Sequence, residues 1–189
     1  MEKINGKEFE RRILYQLDVH VKGLACHAGR YGVQGVFTKD SATGQLNWRP
    51  IQSLPDFEGV LPPFGRQFVF DAKVCSGASF PLRDDKFEKR QKKHLYSRSR
   101  MGCITFLLIH FQERELKKGT QESLTVAFPV FPEHSFWMRV DSGEEKRISR
   151  SDAEIYGVPV EWTDGPGRPR PLILEAVMRL AERDGALVA

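Results

Sequence analysis

Two aspartates and a lysine lie at a spacing that suits metal-dependent hydrolysis of a phosphodiester. Asp56 follows Pro55, and the triplet Asp71, Ala72 and Lys73 begins fifteen residues later. Mg²⁺ prefers oxygen ligands and is usually held by one or two carboxylates. A neighbouring ammonium can stabilise the charge that develops on a phosphate in the transition state. These residue types predict a magnesium-dependent phosphodiesterase site, with the Ala72 carbonyl as a further ligand and Lys73 orienting the attacking water.

The residues around this site predict the hairpin that presents it. Residues 67–74 alternate in the pattern of a β-strand, which places Asp71 and Lys73 on one face. A Pro/Gly-rich break precedes that strand, so Phe57–Leu61 is expected to be its antiparallel partner. Asp56 then lies at the start of the first strand, close to Asp71.

A third carboxylate comes from the first predicted helix, which covers residues 5–20 with Asn5 as its N-cap. Glu10 shares the face of the apolar residues that follow it by three, four and seven positions. A carboxylate at the edge of a buried face is costly unless it is paired or bound to a metal. Two interpretations stay open, namely a salt bridge to an arginine, and a place in the carboxylate cluster through a second metal or a metal-bound water.

A strongly basic segment follows the carboxylates. Residues 83–100 carry a net charge of +5, whereas the whole chain carries +4. This segment predicts a helix that starts at Asp84 or Asp85 and ends near Arg100, with Gln91 on its inward face. The basic charge suits a bound polyanion, although a solvated helix face is the alternative. Gln91 can bind a metal-bound water, a phosphate or a backbone group.

Residues 22–53 are rich in glycine and poor in large apolar side chains, and they predict a projecting basic arm with short strands near 33–38 and 46–48. Such an arm suits contacts to nucleic acid, and a flexible surface excursion is the alternative. The candidate DNA contacts of the arm and of the basic helix are Arg30, Lys39, Arg49, Lys86, Lys89, Arg90, Lys93 and His94.

The composition indicates a globular chain, since 40% of its 189 residues are hydrophobic and 11% are aromatic. We expect a single domain over residues 1–189, without a membrane span or a signal peptide, and therefore a cytoplasmic protein. Three widely spaced cysteines predict reduced thiols. The remaining predicted elements are strands at 103–111, 124–131 and 136–140, a polar turn region at 112–123, helices at about 149–156 and 172–183, and a linker at 163–171.

The order of these motifs resembles a known group of enzymes. Pro55-Asp56 followed by Asp71-Ala72-Lys73 resembles the PD-(D/E)xK nuclease superfamily. The stretch from Gly65 to Phe111 is similar, more closely, to RecU-type Holliday junction resolvases, which have an FxAK strand, an FPL segment, a Q-x-x-H pair and an apolar strand in this order. Gln91 and His94 match the Q-x-x-H pair, and residues 6–10 resemble the first motif of the family.

The resemblance implies a fold, a site and a substrate. The fold would be α/β, with a restriction-endonuclease-like mixed β-sheet flanked by helices, and with the arm in the place of the family's stalk. The protein would be a homodimer that uses Mg²⁺ or Mn²⁺ to nick two strands of a four-way DNA junction symmetrically in recombination and repair, in a bacterial or phage-infected cell. The implied catalytic set is Glu10, Asp56, Asp71, Lys73 and Gln91, with Glu10, Asp56, Asp71 and the Ala72 carbonyl toward the metal.

Two other functions remain open at this point. One is a PD-(D/E)xK endonuclease that cuts linear duplex DNA, and the FPL and Q-x-x-H segments favour the resolvase over it. The other is a non-catalytic junction-binding protein, in which the carboxylate and lysine set would be broken, whereas here the set is intact.

Overall fold

The structure is a computed structural model that describes most of the chain as five helices and twelve strands. The described residues are 3–23, 27–30, 35–39, 44, 46–50, 55–61, 65–82, 87, 89–117, 119–163 and 169–183. In chain order the elements are α1 (Gly6–Lys22), β1 (His27–Arg30), β2 (Gly35–Lys39), β3 (Leu46–Pro50), β4 (Phe57–Leu61), β5 (Arg66–Cys75), β6 (Ser79–Pro81), α2 (Lys89–Arg100), β7 (Ile104–Phe111), β8 (Arg114–Leu116), β9 (Gly119–Gln121), β10 (Leu124–Pro129), α3 (Ser135–Asp141), β11 (Arg147–Ser149), α4 (Arg150–Tyr156), β12 (Val158–Pro159) and α5 (Ile173–Arg183).

A six-stranded mixed sheet forms the centre of the molecule, in the order β1-β4-β5-β7-β10-β12. β5 and β7 pair in parallel, and every other pair in this sheet is antiparallel. A parallel pair needs a crossover connection, and the segment with α2 provides it between β5 and β7. The predicted mixed α/β architecture is thereby confirmed.

The sheet separates two apolar cores. Phe68 and Phe70 of β5 pack with α1 and α5 on one side, whereas Val69 packs with the residues around α2 and α3 on the other. Because β7 lies between β5 and β10 with a core on each face, all eight of its residues are buried. The sequence prediction of a doubly covered strand here is confirmed.

The predicted hairpin before the site is also confirmed. β4 pairs with β5 in antiparallel register, with Phe57 opposite Phe70 and Leu61 opposite Arg66. The nitrogen of Gly65 donates to the carbonyl of Leu61 at 3.0 Å. Gly65 has a φ of 65°, a left-handed conformation that favours glycine because it has no Cβ.

Helix α1 begins as the sequence predicts. The side chain of Asn5 accepts a hydrogen bond from the nitrogen of Glu8 at 2.9 Å, as an N-cap does. Phe9, Ile13 and Leu17 are buried against the sheet, and each contributes about 1.5–3 kcal/mol on burial. The short helix α4 is also confirmed, with Ser149 as its N-cap.

Three predictions about other elements are wrong. Residues 136–140 belong to α3 rather than to a strand, because consecutive Phe136 and Trp137 are both buried while Met138 is exposed, which a period of two does not allow. The region 112–123 contains the antiparallel pair β8 and β9 rather than only turns. Residues 27–30, which the arm prediction included, pair with β4 at the edge of the central sheet.

The remainder of the predicted arm contains β2 and β3, which pair with each other in a separate two-stranded sheet. Asp84 and Asp85, the predicted caps of α2, lie outside the described residues. Cys75 and Cys103 are buried free thiols, as predicted. As far as the described residues go, none of the helices combines the length and the apolar composition that a membrane crossing requires.

Candidate active site

The β4–β5 hairpin brings Asp56 and Asp71 together. Asp56 directly precedes β4, and its Oδ2 accepts a hydrogen bond from the nitrogen of Ala72 at 2.9 Å. The rings of Phe57, Phe70 and Phe106 stack across three neighbouring strands, with centroid separations of 4.9 and 4.7 Å. This aromatic contact and the strand pairing fix the register of the two carboxylates.

Asp71 is a fully buried carboxylate. The ammonium of Lys73 lies 2.6 Å from its Oδ2 as an ion pair. Neither carboxylate oxygen of Asp71 has a hydrogen-bond partner of good geometry in the described part of the chain. Burial raises the pKa of Asp71 well above its ordinary value, Lys73 acts in the opposite direction, and the nearby Asp56 raises the pKa further. The local environment therefore disfavours two adjacent negative charges unless a further cation is present.

Glu10 reaches the same region from α1. Its side chain is 27% exposed and forms an ion pair with Arg30 at the end of β1. Partial burial raises the pKa of Glu10, and the charge of Asp56 raises it further, whereas Arg30, Lys73 and Lys7 lower it. The salt-bridge interpretation therefore has its arginine in Arg30, while the charge of Asp56 places Glu10 within electrostatic reach of the carboxylates.

The donors at this site suit a divalent cation. The buried carboxylate of Asp71, whose Oδ1 has no partner among the described residues, and the carboxylate of Asp56 beside it are oxygen ligands of the kind that Mg²⁺ and Mn²⁺ take. Within the described residues, no three His, Cys, Asp or Glu side chains are grouped to hold an ion. Glu10 is thus not preassembled as a third ligand, and its predicted metal role stays a prediction. The predicted metal role of the Ala72 carbonyl also stays a prediction, and the N–H of Ala72 donates to Asp56.

Helix α2 is fixed to the body of the protein by contacts to two different segments. Oδ1 of Asp141 lies 2.7 Å from Nζ of Lys92, and Oδ2 of the same carboxylate accepts from the hydroxyl of Tyr96 at 3.1 Å. Arg98 donates to the side-chain oxygen of Gln67 on β5 at 2.6 Å. Leu95 lies between these contacts and is completely buried. The contacts to Asp141 and to Gln67 therefore set the orientation of α2.

The predicted residues of α2 differ in their surroundings. Gln91 is half-buried, as its inward position predicted, while Lys89, Arg90 and Lys93 are exposed and accessible to a polyanion. Burial lowers the pKa of His94, Arg98 lowers it further, and Glu58 acts in the opposite direction. Lys86 and the side chains of Lys39 and Arg49 lie outside the part of the structure that is described.

Two features of the site were not found from the sequence. The first is Asp141, which is 49 residues from Lys92 and directly follows the segment that was predicted as a strand. The second is the position of Lys7 and Arg11 beside Glu10. The spacing from Lys7, three residues to Glu10 and four to Arg11, was a signal, because residues three and four apart are neighbours on a helix surface.

Comparison with known proteins identifies the family. The family model for RecU, "Recombination protein U", matches residues 46–166, which include the β4–β5 hairpin, α2 and β7. No sequence among the curated proteins matches the chain. A similar solved structure is that of Hjc, a Holliday junction resolvase from the archaeon Archaeoglobus fulgidus, with 18% identity and a TM-score of 0.42 over 82% of this chain and 95% of that chain. Because the RecU model covers well over half of the sequence, the chain belongs to the RecU family of Holliday junction resolvases.

Proposed function

We propose that the protein hydrolyses phosphodiester bonds in four-way DNA junctions with the help of Mg²⁺ or Mn²⁺ bound by Asp56 and Asp71. The observation that carries the proposal is the fully buried Asp71 beside Asp56, with the Lys73 ammonium at Oδ2 and with no hydrogen-bond partner at Oδ1 among the described residues. A buried structural carboxylate would be expected to have donors at both of its oxygens. A cation-binding role accounts for the lack of one at Oδ1 among the described residues.

The bound ion and each residue of the site would have separate roles in the reaction. The ion, when bound, supplies a Lewis acid that lowers the pKa of a water and offsets the charge of the phosphate. The Lys73 ammonium is held against Asp71 at 2.6 Å, from where it can orient the attacking water and stabilise the negative charge of the pentavalent phosphate. The hydrogen bond from the Ala72 nitrogen keeps Asp56 beside Asp71.

Glu10 and Gln91 would complete the site from the two helices. The Glu10 carboxylate is available to a second ion or to an ordered water once Arg30 turns toward a DNA phosphate. The amide of Gln91, half-buried on α2, offers both a donor and an acceptor to a water or a phosphate. Substitution of Glu10 or Gln91 is expected to lower cleavage less than substitution of Asp71, because neither of the two side chains is fully buried at the site.

DNA binding would use Lys89, Arg90 and Lys93, which are exposed on α2, together with His94 beside them and Arg30 at the end of β1. Lys39 and Arg49 of the arm and Lys86 before α2 stay contacts predicted from the sequence. Contacts of this kind neutralise phosphates and fix the position of the DNA without reading its sequence. Selectivity for a junction would then come from the shape of the DNA.

A homodimer is part of the proposal because resolution of a junction needs two matched cuts. A twofold axis would place two identical sites on two strands of the junction. We propose one active site in each protomer, in a single domain formed by the whole chain. Sedimentation velocity at micromolar concentration would give a dimer, and a monomer that still makes paired cuts would contradict this part.

The test is cleavage of a labelled immobile four-way junction beside a linear duplex built from the same arms, with Mg²⁺, with Mn²⁺ and with EDTA. We expect symmetric paired nicks on the junction alone, and only with a metal ion. Equal cutting of both substrates would instead make the protein a general endonuclease. Tight binding without cutting in either metal would make it a junction-binding accessory protein.

A further inference from the structure

A cavity of about 410 Å³ lies beside Glu10, between α1 and β1. One stripe of α1 lines it with residues spaced by three, four and seven positions, which lie on the same side of a helix. Arg30 of β1 closes the opposite side. The lining residues are Lys7, Glu10, Arg11, Leu14 and Arg30.

The cavity is strongly basic. Three of its lining side chains are cations and only Glu10 is an acid. Arg11 forms an ion pair with Glu8 one turn away, and its side chain is 65% exposed. Exposed pairs of this kind contribute little to stability, so an incoming anion can replace Glu8. Lys7 has no ion-pair partner among the described residues.

The cavity adjoins the carboxylate cluster. Glu10 interacts electrostatically with Asp56 and Lys73 on the side of the β4–β5 hairpin, and with Lys7 on the side of the cavity. Successive phosphates of one DNA strand follow each other at about 3.4 Å of helix rise. A strand with one phosphate at Asp71 and Lys73 would therefore carry a neighbouring phosphate toward the three cations.

We propose that Lys7 and Arg11 bind, in this cavity, a DNA backbone phosphate that neighbours the one being cleaved. This inference rests on the proposed function and extends the DNA-binding surface to α1. The contact would position the strand with respect to Glu10 and would not read bases. Loss of either cation should thus weaken binding equally for junctions of different sequence.

The test compares Lys7→Gln and Arg11→Gln with Lys22→Gln. Lys22 is a matched control because it lies on the same helix, is 75% exposed and pairs with Asp18 one turn away. Binding of a fluorescent four-way junction to the full chain is measured in EDTA over a series of KCl concentrations. Loss of one phosphate contact should reduce the magnitude of the slope of log K against log[salt] by about 0.9. Between 50 and 200 mM salt, the affinity of the variant should then decrease about 3.5-fold less than the affinity of the wild type.

Each outcome has a defined meaning. A slope like that of the wild type in both Lys7→Gln and Arg11→Gln would overturn the inference, and so would a slope that falls equally in Lys22→Gln. Cleavage of the junction by the wild-type protein is measured on the same preparation with Mg²⁺. Cleavage with unchanged slopes would reject the phosphate site alone, whereas altered slopes without cleavage would reject the proposed function and retain the site.

Discussion

Oδ2 of Asp56 accepts a hydrogen bond of 2.9 Å from the nitrogen of Ala72, the residue between Asp71 and Lys73. The segment that precedes β4 is thereby tied to the middle of β5. A carboxylate that accepts from a neighbouring strand keeps its position even when its charge is opposed by another carboxylate. The electrostatic repulsion between Asp56 and Asp71 is therefore overcome during folding, before any metal or DNA is bound.

Asp71→Asn should abolish cleavage without unfolding the protein. Asparagine keeps the shape of the side chain but removes the charge that binds a cation, and we expect cleavage to fall by about 100-fold or more. Wild-type protein should also gain thermal stability on addition of Mg²⁺, by about 2.7 kcal/mol at 100 times the dissociation constant, while Asp71→Asn gains none. Junction binding in EDTA should be unchanged. A parallel loss of binding and cleavage would indicate a structural role.

Asp141→Asn should slow cleavage by loosening α2. The carboxylate contacts Lys92 at 2.7 Å and Tyr96 at 3.1 Å, and it ends α3, where an acid is unfavourable because of the helix dipole. We expect a loss of about 5-fold in cleavage, which corresponds to about 1 kcal/mol of positioning.

Lys92→Met separates positioning from long-range charge. If Asp141 positions α2, both substitutions slow cleavage. If Asp141 acts only by repelling DNA, Asp141→Asn tightens binding while Lys92→Met weakens it. Glu144→Gln removes an exposed acid just beyond α3 and serves as the control for net charge. Opposite effects of Asp141→Asn and Lys92→Met on junction affinity, with cleavage at saturating junction unchanged, would contradict the positioning role.

The sequence predicts best those parts of the site that depend on local periodicity. Apolar and other residues alternate clearly in β5, and the Pro/Gly-rich segment before it is a strong turn signal. The pattern alone therefore places Asp71 and Lys73 on one face of a strand. In α1 the N-cap and the apolar stripe predicted the helix and the side that Glu10 occupies. These signals come from neighbours in the chain, and they do not depend on the tertiary fold.

The parts that escaped prediction depend on distant partners. β1 has only four residues and becomes a strand through pairing with β4. Phe136 and Trp137 form a helix because both are buried among residues from α2, α4 and β10. Asp141 acquires its importance through Lys92 and Tyr96, which are more than 40 residues away. Such long-range contacts leave no local pattern in the sequence.

His110 should make the protein sensitive to mild acid. It lies buried in β7, with Nδ1 2.8 Å from the hydroxyl oxygen of Thr125, and its ring contacts Phe9 and Trp162. Burial, together with the charge of Arg12, lowers the pKa of His110 to about 4. The folded state therefore holds the neutral ring, whereas the unfolded chain takes up a proton at an ordinary histidine pKa near 6.5.

The resulting contribution to stability is present above pH 6.5 and is lost as the pH falls from 6.5 toward 4. About 2–3 kcal/mol should disappear over this window. Urea unfolding at a series of pH values would measure it. His110→Gln should be less stable at pH 7.5 but should lose less stability on acidification, whereas His20→Gln should retain most of the pH dependence. Equal pH profiles for His110→Gln and the wild type would exclude His110 as the cause.

Gly59→Ala should destabilise the edge of the sheet that leads to the site. A Cβ at Gly59 would lie 2.3 Å from Cζ of Phe68 and 2.6 Å from Cβ of Ala28. Phe68 is buried and cannot move aside freely, and Ala28 is held by the pairing of β1 with β4. Overpacking of this kind costs about 1–3 kcal/mol.

Gly29→Ala is the matched control for this substitution. Gly29 lies in the neighbouring strand β1, and a Cβ there would meet no atom within 4 Å. Thermal unfolding should show a clear loss for Gly59→Ala and a change of less than about 0.5 kcal/mol for Gly29→Ala. Unchanged stability of Gly59→Ala would mean that β1 is not packed against β4 and Phe68 in solution.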